Sequence, residues 1–261
     1  MKINLEEFGK GTLAVFCKTY LLKRSFLQML IVLSLYFPVL QGYCYAEGQT
    51  RYSWDFFDSV EPVRLKDPLA IVLGAVDKEA VLVFTYADAV KLAGHSCPAV
   101  AGAYKSTQTA LKYLYGNEIP VRGNIKVTFK GDVDYQVNGP ISQVVTFITG
   151  ASGENGFKGF GPAGKYRRQN LMVFDGGQLP DPGAICSILF QREDNGRKVE
   201  ITYSIEPVPS NVRIDKLMPL VISGKASVEE SLEFSNLWQE RVKTILVNPP
   251  EGTFLVNEIS E

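Results

Sequence analysis

The chain has 261 residues, 46% hydrophobic and 21% charged, with a formal net charge of −1. That composition belongs to a globular protein with enough apolar material for one sizeable core and a small annex. The near-neutral balance lacks the basic footprint that phosphate-backbone binding leaves, which excludes nucleic acid as the main partner.

Residues 1–46 read as a leader. Lys18, Lys23 and Arg24 precede the uncharged run SFLQMLIVLSLYFPVL, and small or polar residues follow to Ala46, just before Glu47. Basic, apolar and cleavage regions in that order describe a secretory signal. An uncleaved N-terminal anchor is the alternative, although the run is short for a full span and Pro38 interrupts it; a buried core helix is the third reading. Export to a periplasmic or extracellular location is expected, with membrane attachment only if the leader is retained. Cysteines stand at 17, 44, 97 and 186 with no C-x-x-C pair, so processing would leave Cys97 and Cys186. Two cysteines are not a disulfide scaffold, but these two can pair in an oxidising compartment if they lie close enough.

Residues 47–74 read as an irregular arm, with Trp54, Phe56 and Phe57 packing back on the body. Residues 77–93 read as a largely apolar helix, with Asp77 as its N-cap and Gly94 as its stop. A second helix is expected over Pro98–Tyr115. Its early small residues, Ala99, Ala101, Gly102 and Ala103, allow another element to approach closely.

Between these helices lies Gly94-His95-Ser96-Cys97-Pro98, which contains the chain's single histidine. Proline is favoured at the first helical position, so Cys97 falls at or next to the N-cap. The unpaired N–H groups and partial positive charge of a helix start favour a negatively charged sulfur there. His95 and Cys97 are therefore candidate metal ligands. In a thiol enzyme Cys97 would instead be nucleophile or redox thiol and His95 its base, or the elbow is simply structural.

Residues 123–206 read as strands: NIKVTFKG, QVVTFITG, QNLMVFDG, AICSILFQR and KVEITYSIE, joined by turn-rich segments. The glycine-rich stretch 150–169 suits a loop or a ligand clamp, in which Lys165, Arg167 and Arg168 would meet a carboxylate or phosphate. A C-terminal helix is expected over 224–247, with a Ser227/Glu230 capping box and an apolar stripe of Leu232, Leu237, Trp238, Val242 and Ile245. Helices followed by strands give an α+β fold, with two N-terminal helices on a mixed or mainly antiparallel sheet and a C-terminal helix.

The run GHSCPAVAGAYKSTQTALKYL resembles the G-H-x-C-P-G-x-x-x-G signature of the FmdE family, which takes its name from formylmethanofuran dehydrogenase. VVTFITGASGENGFKGFG followed by GKYRRQNLMVFD resembles that family's second block. The resemblance covers roughly residues 75–205. It implies an FmdE-like, GAPDH-domain-like layout over 75–210, with 211–261 as a C-terminal helical extension. It also implies packing near a dimer interface, hence a homodimer, and metal binding by His95 and Cys97, with zinc or another transition metal as the ion. Relatives add cysteines or acids to the ligand set, but here Thr149-Gly150-Ala151 and Pro140-Ile141-Ser142-Gln143 stand where a thiolate or carboxylate would be. The nearest acids to that block are Asp132 and Asp134. Nothing recognisable binds a pterin, so molybdenum or tungsten chemistry is not carried over. The leading expectation is an exported metal- or cofactor-binding protein; the alternatives are a thiol-dependent enzyme acting on a small anionic substrate and a non-catalytic interaction domain.

Overall fold

The computed structural model describes residues 50–181 and 183–259. The leader expected over 1–46 lies outside the described residues. Every element below belongs to one unit, Trp54–Glu261.

The arm is held by its aromatic rings. A helical turn, Phe56–Ser59 (α1), buries Phe56 and Phe57. These rings meet edge to face at 4.9 Å, and Phe57 meets Tyr86 the same way at 5.1 Å. Val63–Leu65 (β1) and Pro68–Val72 (α2) follow, so the arm is more regular than its composition suggests. Asp67 caps α2 by accepting hydrogen bonds from the Leu69 and Ala70 N–H groups.

The expected helix over 77–93 is corrected in its first half. Leu82–Phe84 forms a strand (β2) antiparallel to β1, and the helix is confined to Tyr86–Ala93 (α3). The competing signals are physical. The arm supplies a partner strand for Leu82-Val83-Phe84, whose valine and phenylalanine suit extended backbone. Thr85 and Asp88 then form a complete capping box that Asp77 cannot match. Gly94 stops α3 in the left-handed conformation, at φ 74°.

Pro98–Tyr115 (α4) is a helix as expected, buried on most of its circumference. It packs on the sheet and on two later helices. Its small residues have the anticipated use, for a Cβ on Gly102 would lie 2.1 Å from Cε1 of fully buried Tyr203. The Tyr203 hydroxyl completes the contact by donating to the Pro98 carbonyl at 3.0 Å.

Ile125–Phe129 (β3) alternates as its sequence does, with Ile125, Val127 and Phe129 fully buried. The next expectation fails. Asn138–Thr149 (α5) is a helix, although QVVTFITG was expected as a strand. Ile141, Val144, Val145 and Ile148 are its buried apolar residues, and that is helical spacing. Branched residues gave the segment a strand-like composition, but packing against α4 decided its conformation.

Met172–Phe174 (β4), Ala184–Arg192 (β5) and Lys198–Ser204 (β6) occupy the expected strand segments. Val212–Ile222 (α6) and Phe254–Ile259 (β7) were not anticipated. Between them Val228–Val247 (α7) begins at Ser227, whose capping box with Glu230 is formed. The five-stranded sheet has the order β4-β3-β5-β6-β7, parallel between β3 and β4 and antiparallel elsewhere. The fold is therefore α+β with a mixed, mainly antiparallel sheet, beside a two-stranded β1–β2 sheet. Cys97 and Cys186 are both free, which removes the disulfide alternative in this structure. Among the described residues no helix is long and apolar enough to cross a membrane.

Candidate functional site

The elbow between α3 and α4 is built around its middle residue. Ser96 is half-buried, and its hydroxyl donates to Gln239 Oε1 at 2.9 Å. That leaves the Tyr86 hydroxyl, also at 2.9 Å, to donate to the Ser96 oxygen. The Ser96 carbonyl accepts from Trp238 Nε1 at 3.0 Å and from Gln239 Nε2 at 3.2 Å. The Gln239 amide thus reads both the side chain and the backbone of Ser96. Helix α7, to which the sequence assigned no chemistry, fixes the elbow from outside.

The two sequence-predicted donors flank this anchored serine. His95 is exposed, with Nδ1 2.9 Å from the Ala93 carbonyl. A carbonyl only accepts, so in the neutral ring Nδ1 carries the proton and Nε2 the lone pair. Cys97 is half-buried at the N-cap of α4, with extended backbone and no side-chain capping bond. Among the described residues no hydrogen bond joins the imidazole to the thiol. Two buried phenols lie within electrostatic reach of Cys97. Burial pushes the Tyr86 and Tyr203 hydroxyls well above their ordinary range, so both stay protonated donors. Cys186 is a different kind of thiol: complete burial pushes it up to about 12 and leaves it a packing residue.

His95 and Cys97 are ligands of the right type for zinc and related ions. In number they fall short, for no group of three or more His, Cys, Asp or Glu able to hold a metal occurs among the described residues. Ala151, where the family resemblance implied a further ligand, is fully buried.

The predicted anion clamp is divided by the structure. Lys165 and Arg167 are exposed, with Lys165 Nζ 5.1 Å from the centre of the Tyr166 ring. Arg168 instead turns inward, only 6% exposed, and donates from Nη2 to Asp67 at 2.6 Å. Arg122, which the sequence reading did not single out, donates to the other Asp67 oxygen at 3.0 Å. It also caps the end of α5 through the Ile148 and Phe147 carbonyls. Burial opposes ionisation of Asp67, but the Arg122 hydrogen bond and the Arg168 charge outweigh it and hold the carboxyl below its ordinary range.

Neither Gln239 nor Asp67 carries a local motif that marks it as part of such clusters; their partners lie 143 and 101 residues away. No curated protein matches this sequence. Residues 92–255, more than half of the chain, match the family described as FmdE, molybdenum formylmethanofuran dehydrogenase operon; this range takes in the elbow, strands β3 to β6 and α7, and the chain belongs to the FmdE family.

Proposed function

We propose that this is an exported metal-binding protein in which His95 and Cys97 supply two ligands to zinc or a similar transition metal. One observation carries the reading: the His95 Nδ1–H is committed to the Ala93 carbonyl, which leaves the free lone pair at Nε2, two residues from a half-buried uncapped thiol. A ligating histidine ordinarily has its second ring nitrogen held by a carbonyl or carboxylate in this way. Zinc prefers four donors, so water, an exogenous ligand or a second copy of the chain completes the set. The family description, a molybdenum formylmethanofuran dehydrogenase operon, supports a metal-associated role. It supplies no reaction. Homodimer formation through the elbow region is part of this proposal, since a second copy is one source of the missing ligands.

The test is equilibrium dialysis of the processed protein against Zn2+, with bound metal and molecular mass measured together. The expected result is saturable binding in the wild type and loss of most of it in Cys97→Ser and in His95→Ala. Replacing Zn2+ with Co2+ should give a thiolate-to-cobalt charge-transfer band that disappears in Cys97→Ser. Wild-type binding no greater than that of Cys97→Ser refutes the assignment.

A further inference from the structure

The cavity beside the glycine-rich loop carries more positive charge than the fold uses. It has a volume of about 490 Å³, and its lining includes Arg122, Arg167, Arg168, Tyr166, Asn124 and Glu193. Two of these guanidiniums share one buried carboxylate, that of Asp67, so the buried cluster keeps a positive charge. Exposed Glu193 is the only acid among the described lining residues, and exposed Arg167 balances it.

The two shared guanidiniums are not used alike. Arg122 directs Nε, Nη1 and Nη2 to Ile148, Asp67 and Phe147. Arg168 is equally committed at Nη2, but its Nε is buried and has no hydrogen-bond partner. A cation left with an unmatched donor at 6% exposure is unusual, because buried charges are normally paired and their polar atoms satisfied. The backbone is shaped around this side chain as well. Gly123 takes φ 83°, and any Cβ there would overlap Arg168 Nη1. Opposite it, Gly150 at φ 76° leaves room for both Arg122 and Arg168. The loop is tied down on the far side by the Arg168 N–H to the Phe157 carbonyl and the Ser152 N–H to the Arg168 carbonyl.

We propose that this cavity is a second ligand site, taking the carboxylate or phosphate group of a small molecule between Arg168 and Arg167. An oxyanion there neutralises the surplus charge beside the incompletely bonded Arg168, and guanidinium is the donor best matched to such groups. Tyr166 provides an aromatic wall for the organic remainder. None of the lining residues belongs to the His95–Cys97 elbow, so this site and the metal reading stand or fall separately.

Calorimetric titration of the full chain at low ionic strength tests it, with inorganic phosphate and succinate in separate arms and matched chloride as the control. One arm or both should saturate at one anion per chain. Saturation by phosphate alone assigns a phosphate ligand, and by succinate alone a carboxylate. Arg167→Ala should weaken binding by roughly tenfold or more, as expected for one charge-assisted hydrogen bond, with the melting temperature unchanged because this side chain is exposed. Arg168→Lys keeps the charge beside Asp67 but loses the planar fork, and should weaken binding too. The proposal is overturned if neither anion saturates, or if Arg167→Ala binds as the wild type does.

Discussion

Asp67 combines two roles in one buried carboxylate. It caps α2 by accepting from two backbone N–H groups and bridges Arg122 and Arg168 with the same carboxylate, at 3% exposure. Asp67→Asn removes the negative partner and leaves two guanidiniums facing each other, a loss of about 3–5 kcal/mol by comparison with other broken buried pairs. Urea unfolding at neutral pH measures it. The carboxyl is held below its ordinary value, so its contribution is fully present above the unfolded-state pKa of about 3.9 and disappears as pH falls through the lower folded-state value. Urea midpoints collected from neutral pH down into the acid range should therefore drop, and Asp67→Asn should flatten that part of the drop. Gly102→Ala is a second residue-scale case. Its new methyl group meets the buried Tyr203 ring, and overpacking of this kind costs about 1–3 kcal/mol, readable as a lower melting temperature. The closeness of approach at Gly102 was legible in the run Ala99 to Ala103. That the approaching group belongs to the chain's own sheet was not, because Tyr203 is 101 residues away and nothing local points to it.

Helices announced themselves where their ends carried the signal. Pro98 opens α4, and the Ser227/Glu230 pair opens α7, as the structure shows. Where composition had to decide, it misled. The branched and aromatic residues of 143–149 suit a strand, yet the apolar spacing is that of a helix, and the acceptor of this face is α4 rather than a neighbouring strand. The 77–93 segment failed the opposite way, since its strand pairs with an arm whose own strand was not recognised. At the elbow the sequence located His95 and Cys97 but not the residues that fix them. Gln239→Ala should remove both bonds to Ser96 and destabilise the protein by about 1–2 kcal/mol. The distinguishing measurement is hydrogen exchange, which should rise at residues 95–97 while the centre of α4 stays protected.

At the scale of the molecule, the α+β class followed from segment order, but the sheet order did not. β3 and β4 run parallel with α5 between them, a crossover that a strand reading of α5 could not produce. β7 adds to β6 only after α6 and α7 have intervened, so one of the two edge strands comes from the last residues described. Pairings of this separation depend on the whole chain and leave no local trace.

The bonds between Ser96 and Gln239 span 143 residues. A nascent chain cannot make them until α7 has left the ribosome, by which time the two helices that meet at the elbow have long been exposed. The donor pair therefore reaches its final setting only after Gln239 has been synthesised. If the chain is exported unfolded and binds metal as proposed, the ion is acquired in the destination compartment rather than carried there, and the ion supply of that compartment, not of the cytosol, selects what is bound.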